Sequence, residues 1–300
     1  MSYGLSSGLK KRALQTLMQK PFHLPSPKWV FILALASLWT CLFISQGRSE
    51  TYASGWIDNA RSKVQLIAAG GLGRGFYETG VQILLAPGAL TYWRVPGEAG
   101  VPPVFSFAGS ENVARAEVLY PAPERIEEDG TQAFGYRGDV IFPIHVTPEN
   151  PARPVLLMLS LSYAVCDHIC VPEIAEMQIR LAPSGGPGPQ EAVLAKAEAK
   201  LPRPLSGVEA NGKFVLTHLP SQTAVLWRLT WLGSPATDLF VEAPEGWYFE
   251  TKKTGQPNEF LIEEVQTKEG AALPPLTLTL TGPQASFEFP LSLDSTSAKP

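Results

Sequence analysis

Two of the three cysteines in this 300-residue chain lie four positions apart, in the segment SYAVCDHICVPE at residues 162–173. Cys166 and Cys170 enclose an aspartate, Asp167, and a histidine, His168. Three chemistries suit this set of side chains. The sulfurs could form a structural disulfide, bind a soft metal such as Cu(I) together with His168, or act as a redox pair that exchanges with other thiols.

The residues on either side of the pair predict where it lies. Polar and apolar residues alternate in PVLLMLSLSYA before the cysteines and in AEMQIRL after them, which predicts a β-hairpin with the cysteines at its tip. A disulfide across such a turn closes a short loop and adds little stability. We therefore favour the redox pair over the staple. We expect the tip to keep both sulfurs accessible, with Cys166 more covered than Cys170.

Asp167 and His168 are candidate modulators of the thiols, and their effects oppose each other. A protonated His168 would lower the pKa of a neighbouring thiol, whereas the charge of Asp167 would raise it. The sequence does not give the sign of the sum. Two sulfurs and His168 also suit Cu(I), so a copper site made of Cys166, His168 and Cys170 stays open as an alternative.

The N-terminus predicts export of the chain. Basic residues, among them Lys10, Lys11 and Arg12, precede an uncharged apolar run at residues 29–45. The run suits an export signal and is close to the shortest length that spans a bilayer. The basic flank is expected to stay in the cytoplasm. We therefore expect a signal peptide or an inner-membrane anchor, with the rest of the chain in the periplasm, where thiols tend to be oxidised.

The composition describes a globular, acidic body. The chain is 45% hydrophobic and 17% charged, enough apolar content for a buried core. Residues 1–53 carry six basic residues and one acidic residue, so the remainder has a formal charge of −9, against −4 for the whole chain. An acidic body without a basic stripe argues against nucleic acid and favours protein partners.

Alternation with a period of two predicts an all-β body built from antiparallel sandwiches. Its clearest examples are Val81, Ile83, Leu85 and Val140, Phe142, Ile144, Val146, with a hairpin that sets Leu276, Leu278, Leu280 against Phe287, Phe289. The stretch APSGGPGPQ and the helical EAVLAKAEAKL interrupt this pattern. The predicted division is a signal segment at 1–53, a sandwich with the cysteines at 54–183, a Gly/Pro-rich linker and short helix at 184–205, and a second β-sandwich-like domain at 206–300.

An aromatic pair in the segment TYWRVPGEAGVPP provides a candidate shield for the cysteines. Tyr92 and Trp93 are neighbours in a predicted strand, and neighbouring strand residues point to opposite faces. Both rings therefore cannot enter the same core. We expect one of them to lie at the surface or under a loop, where an amphipathic ring could cover a reactive site.

Four segments in order carry a family resemblance: TYWRVPGEAGVPP, VLYPAPERI, GYRGDVIFPIHVTP and LSYAVCDHICVPE. Together they resemble the N-terminal periplasmic domain of DsbD-type thiol:disulfide interchange proteins, particularly the ScsB-like branch, over about residues 56–183. The resemblance implies an immunoglobulin-like sandwich and no cofactor beyond the disulfide. It also implies that Cys166 and Cys170 accept electrons from a membrane-embedded thiol reductant and pass them to periplasmic thioredoxin-fold proteins, with Cys170 facing the partner.

The sequence departs from that family in two respects. Family members continue into a multi-helix membrane domain and a thioredoxin-like domain, which this sequence lacks, so we expect another protein to supply the reductant. The best-known DsbD sandwiches also space their cysteines more widely, and the loop that caps their disulfide has no residue-by-residue match here, which leaves Tyr92 and Trp93 as candidates. The leading prediction is a thiol-disulfide oxidoreductase domain. A copper-binding or copper-tolerance protein and a non-catalytic exported binding module are the alternatives.

Overall fold

The computed structural model describes residues 52–98, 100–128, 130–221, 225–266 and 272–293, which form four β-sheets and two short helices. The all-β prediction is confirmed. Residues 1–51, which hold nearly all of the predicted signal or anchor segment, lie outside the described residues. Within the described ranges, no helix is long and apolar enough to cross a membrane.

The first module is a two-layer sandwich of eleven strands. They are Ile57–Asp58 (β1), Ser62–Ala68 (β2), Tyr77–Leu85 (β3), Leu90–Gly97 (β4), Val104–Ser106 (β5), Val113–Val118 (β6), Glu124–Glu128 (β7), Thr131–Arg137 (β8), Val140–Pro148 (β9), Val155–Cys166 (β10) and Cys170–Leu181 (β11). One sheet has the order β1-β2-β3-β9-β6. The other has the order β11-β10-β4-β8-β7, and β5 also pairs with β10. All of these pairs are antiparallel.

The core of the first module forms as the alternation predicted. Val140, Phe142, Ile144 and Val146 are all buried along β9, while Ile141 and His145 between them are half-buried and Pro143 is buried as well. The β-branched residues among them suit a pleated strand that is covered on one face. The apolar sides of the two sheets thus face each other and exclude water from the space between them.

A Gly/Pro segment and a helix close the first module. The segment predicted as a linker pairs its backbone with the module: Gly188 N–H donates to Ala69 O at 2.5 Å, and Gly70 pairs with Pro187. Helix α1, Glu191–Glu198, follows directly and buries Leu194 against the same region. The division of the chain into domains stays a prediction, but the helix packs on the first module.

The second module contains two four-stranded sheets and a short helix. Its elements are Arg203–Pro204 (β12), Gly207–Ala210 (α2), Phe214–Leu219 (β13), Val225–Trp231 (β14), Asp238–Glu242 (β15), Tyr248–Lys253 (β16), Glu259–Gln266 (β17), Pro275–Thr281 (β18) and Phe287–Ser292 (β19). The sheets have the orders β12-β19-β18-β15 and β13-β14-β17-β16. The pairing of β12 with β19 is parallel, which departs from the antiparallel prediction. The predicted hairpin is confirmed, since Leu278 faces Phe289 and Leu280 faces Phe287.

The two modules share buried contacts. Phe240 of β15 is fully buried and packs in the core of the first module, where its ring meets Trp93 and Phe134 edge-on. Arg94 of β4 binds two acidic side chains of the second module, Glu242 at 2.7 Å and Glu288. The interface therefore combines an inserted ring with an ion-pair cluster.

Candidate functional site

Strands β10 and β11 place the two cysteines opposite each other. Their antiparallel ladder runs from Val155 paired with Leu181 to a last pair formed by Cys166 and Cys170. The two sulfurs are bonded as a disulfide, and the Cα atoms lie 4.0 Å apart. The predicted hairpin tip is thus confirmed. Because residues 162–166 and 170–174 continue regular strands on either side, the disulfide closes the end of the ladder without interrupting it.

The two cysteines differ in exposure. Cys166 is completely buried, whereas Cys170 is exposed. The difference arises because the start of β4 pairs with the end of β10, which sets Leu90 beside Cys166 and covers it with a small apolar cluster. The expectation that the tip would leave both sulfurs accessible is therefore wrong for Cys166. Of the two cysteines, Cys170 is therefore the one that solvent reaches.

Tyr92 is the side chain that covers the disulfide. Its ring is fully buried, and its hydroxyl donates a hydrogen bond to Cys166 Sγ at 2.8 Å and lies 3.3 Å from Cys170 Sγ. On the neighbouring strand β8 the residue opposite Tyr92 is Gly135. A Cβ atom at Gly135 would lie 2.1 Å from Thr91 O, so only glycine allows β4 to approach β8 this closely.

Trp93, the other predicted shield residue, points the opposite way. It is 1% exposed and packs in the main core of the first module against Phe240. The alternation argument thus correctly separates the two rings, and it assigns one to each face of the strand. Of the pair, Tyr92 lies at the disulfide and Trp93 anchors β4 from the core side.

The two residues between the cysteines have different surroundings. Asp167 Oδ2 pairs with Arg61 Nη2 at 2.5 Å, while the side chain of His168 is 94% exposed, with Nε2 3.8 Å from Asp167 Oδ1. Within the described residues, no group of three or more histidine, cysteine or acidic side chains could hold a metal ion. The sulfurs are bonded to each other, and a disulfide offers no thiolate to Cu(I). The residues of the copper alternative are therefore not arranged as a ligand set in this state.

A buried polar cluster beneath the hairpin was missed from the sequence. Glu173 of β11 is 6% exposed and accepts hydrogen bonds from the hydroxyls of Ser62 and Tyr163 and from the backbone N–H of Arg61. Burial raises the pKa of Tyr163 to about 12, because the interior penalises the phenolate. One local signal existed: Glu173 occupies the inward-facing phase of β11. Its partners Arg61 and Ser62 lie more than a hundred residues away in the sequence, and no local pattern indicates them.

Comparisons with known proteins agree with this geometry. Residues 76–182 match the family model described as "Thiol:disulfide interchange protein DsbD, N-terminal". Among solved structures, the N-terminal periplasmic domain of ScsB from Proteus mirabilis is 19% identical, with a TM-score of 0.63, and the match covers 81% of this chain and 98% of that one. Curated protein sequences gave no match.

A second solved structure, the N-terminal domain of DsbD from Neisseria meningitidis in its reduced form, is 12% identical, with a TM-score of 0.25. That match covers 41% of this chain and 86% of that one. The likeness to the ScsB domain concerns the fold, whereas the family model spans both cysteines. Residues 76–182, which make up most of the first sandwich, therefore match a DsbD-type N-terminal domain, and both cysteines of the disulfide lie inside the matched range.

Proposed function

We propose that this protein performs thiol-disulfide exchange through Cys166 and Cys170. In this role it passes reducing equivalents between a membrane-embedded thiol reductant and exported disulfide proteins. The observation that carries the proposal is the asymmetry of the pair: the exposed residue Cys170 is bonded to the buried residue Cys166, whose Sγ accepts a hydrogen bond from Tyr92. A structural disulfide would need no difference between its two cysteines, and a bond that closes so short a loop adds little stability.

The asymmetry assigns the roles in the exchange. The thiolate of a reductant attacks Cys170 Sγ, the bond between the two cysteines breaks, and Cys166 leaves as a thiolate while the reductant forms a mixed disulfide with Cys170. A second thiolate of the reductant then attacks that mixed disulfide and releases Cys170 as a thiolate. The reduced pair delivers its two electrons to a substrate disulfide by the reverse sequence, in which Cys170 attacks first and Cys166 resolves.

Tyr92 assists the sulfur that leaves. Its hydroxyl is 2.8 Å from Cys166 Sγ, and a hydrogen bond to a thiolate is stronger than one to a neutral sulfur. The bond therefore stabilises Cys166 most when it carries charge. A leaving thiol with a lower pKa departs faster, so the buried position of Cys166 does not by itself prevent exchange.

The partner classes and the compartment follow from the family and belong to the proposal. DsbD-type domains interact with thioredoxin-fold proteins, and the similar ScsB domain is periplasmic. We place this chain in the same compartment, which agrees with the export signal expected at residues 1–53. The resulting function is that of a carrier between a reductant in the membrane and thioredoxin-fold proteins outside the cytoplasm.

Single-cysteine variants test the function and the roles together. Cys166→Ala and Cys170→Ala are prepared in a Cys41→Ala background, which removes the third cysteine. Each variant is mixed with a thioredoxin that lacks its resolving cysteine and carries an activated mixed disulfide with a coloured aromatic thiol. We expect Cys166→Ala to couple through Cys170 at least about tenfold faster than Cys170→Ala couples through Cys166, because Cys170 is the exposed cysteine. Non-reducing electrophoresis and release of the coloured thiol measure the rate.

Two other outcomes contradict parts of the proposal. Faster coupling of Cys170→Ala would reverse the roles of the two cysteines. If neither variant couples faster than a free cysteine peptide, the disulfide is inert and the chain is better described as an exported binding module.

A further inference from the structure

The turn between β1 and β2 contacts the cysteine hairpin at several points. Asn59 Nδ2 donates to Tyr163 OH at 3.1 Å, and the backbone N–H of Arg61 donates to Glu173 Oε1 at 3.0 Å. These contacts fix the turn to both strands of the hairpin, on the inner face of the sheet. The side chain of Arg61 is thereby directed toward the loop that joins the two cysteines.

In that loop Arg61 meets Asp167, the residue directly after Cys166. Arg61 Nη2 lies 2.5 Å from Asp167 Oδ2, with side-chain exposures of 34% and 26%. Arg61 Nε is buried and has no hydrogen-bond partner among the described residues. The pair with Asp167 is therefore the polar contact that holds the guanidinium in place.

The other charged groups at this loop contribute less. His168 Nε2 lies 3.8 Å from Asp167 Oδ1, but its side chain is 94% exposed. Arg137 Nη1 donates instead to the carbonyl oxygen of Gly88 at 3.5 Å, and Gly88 lies close to Asp167 in space. Glu173 contacts the backbone of Arg61 and faces the opposite side of the sheet from the sulfurs. Arg61 is thus the cation that makes direct contact with the carboxylate next to the disulfide.

We propose that Arg61 is a positioning residue for the cysteine pair, which holds Asp167 in place and offsets the negative charge that Asp167 would otherwise bring beside Cys166. The inference rests on the proposed exchange function. In the reduced protein, an unpaired carboxylate next to a cysteine raises the pKa of the thiol. A guanidinium that pairs with the carboxylate offsets this effect. The partially buried pair is screened less by water and salt than a surface pair.

This electrostatic role makes a prediction that a purely mechanical latch does not. Arg61→Gln removes the cation and leaves Asp167 charged, so the lower of the two thiol pKa values of the reduced protein should rise. Asp167→Asn leaves the cation unpaired, so the same pKa should fall. The double variant should lie between the two. If the contact only holds the loop, both single substitutions break it and should change reactivity in the same direction.

The experiment uses the reduced full chain in the Cys41→Ala background, with iodoacetamide as the probe and the alkylation rate followed against pH. At neutral pH, Arg61→Gln should slow alkylation about threefold or more, and Asp167→Asn should speed it by a similar factor. Lys63→Gln is the matched control, because Lys63 of β2 pairs with Asp58 of β1 at the surface beside the same turn, with side-chain exposures of 60% and 67%. It removes the same charge and should leave the pH profile unchanged.

The alkylation rates distinguish an electrostatic role of Arg61 from a purely mechanical one, and they require no redox partner protein. Arg61→Lys keeps the charge and should stay close to the parent, so the proposal remains testable if Arg61→Gln folds poorly by circular dichroism. Shifts of Arg61→Gln and Asp167→Asn in the same direction, or no larger than that of Lys63→Gln, would overturn the role of Arg61. Coupling to thioredoxin tests the exchange function separately, so either claim can fail alone.

Discussion

At the scale of single residues, the two sulfurs of one disulfide have unequal environments. Cys170 faces solvent, while Cys166 lies in an apolar cluster with the Tyr92 hydroxyl directed at it. A symmetric disulfide would present two equivalent sites of attack. Here the covering of one sulfur directs an incoming thiol to the other, and the hydroxyl supports the charge that develops on the covered one.

Replacement of Tyr92 by phenylalanine tests this support. The ring stays, but the hydrogen bond to Cys166 is lost, and a hydrogen bond to a charged group contributes about 1.5–3 kcal/mol. We expect Tyr92→Phe to slow reduction of the disulfide by a small dithiol roughly tenfold, measured by stopped-flow mixing. Tyr136→Phe is the control, because it removes a buried hydroxyl that donates to Pro121 O instead of a sulfur. Equal rates for parent and Tyr92→Phe would remove the hydroxyl from the mechanism.

At the scale of elements, the hairpin tip is held from both faces of its sheet. Strand β4 covers the outer face with Tyr92, and the β1–β2 turn holds the inner face through the cluster of Ser62, Tyr163 and Glu173. Hairpin tips are ordinarily among the more mobile parts of a sheet. Contacts on both faces give the cysteines a defined position, which exchange through a mixed disulfide requires.

The burial of Tyr163 in this inner cluster makes the free energy of unfolding depend on pH in the alkaline range. The pKa of Tyr163 is raised to about 12 from its ordinary 10.0 by burial, so the folded state keeps this proton when the unfolded state has lost it. That stabilisation is complete below about pH 10 and is lost as the pH rises towards 12. We expect Tyr163→Phe to show a shallower fall in unfolding free energy over this range, measured by urea titration.

The slope should not vanish in that variant, because burial also raises the pKa of Tyr77 and Tyr136. A slope identical to that of the parent would mean that the hydroxyl of Tyr163 contributes no part of the pH dependence.

At the scale of the whole molecule, the two modules are joined by side chains as well as by the chain itself. Phe240 completes the core of the first module, and Arg125 of β7 forms a largely buried ion pair with Asp238 at 2.9 Å. Arg125 also lies over the rings of Phe134 and Phe240. Such contacts oppose a free hinge between the modules and make the second one part of the support for β4.

Proteolysis at residues 183–205 tests both the predicted division and this interface. Exposed Gly/Pro segments are preferred sites of nicking, and we expect the two fragments of the nicked protein to stay associated in gel filtration. Phe240→Ala should let them separate, because loss of a buried phenylalanine costs about 3–5 kcal/mol. Phe214→Ala is the control, since Phe214 packs within the second module on Phe289. Fragments of the parent that separate at once would contradict the shared core.

The strands, the hairpins and the position of the cysteines could be predicted from the sequence, whereas the long-range contacts could not. Alternation indicates the strands, the turn residues indicate the hairpins, and the spacing of Cys166 and Cys170 places them at a tip, because each of these is a local property. The contacts of Arg61 with Asp167 and of Phe240 with Trp93 join positions more than a hundred residues apart. These contacts depend on which strands become neighbours, and the periodic pattern of a single strand does not indicate its neighbours.

The ladder between β10 and β11 has a consequence for repeated use. Twelve residue pairs connect the two strands, and the cysteines form only the last of them. Opening the disulfide therefore leaves eleven pairs and the core beneath them in place, and little chain entropy is released because the closed loop is so short. Each cycle of oxidation and reduction therefore changes only the pair formed by Cys166 and Cys170 and leaves the remaining strand pairing intact. If the protein acts as the proposed carrier, it can therefore turn over many times without passing through an unfolded state that proteases could cleave or that could aggregate.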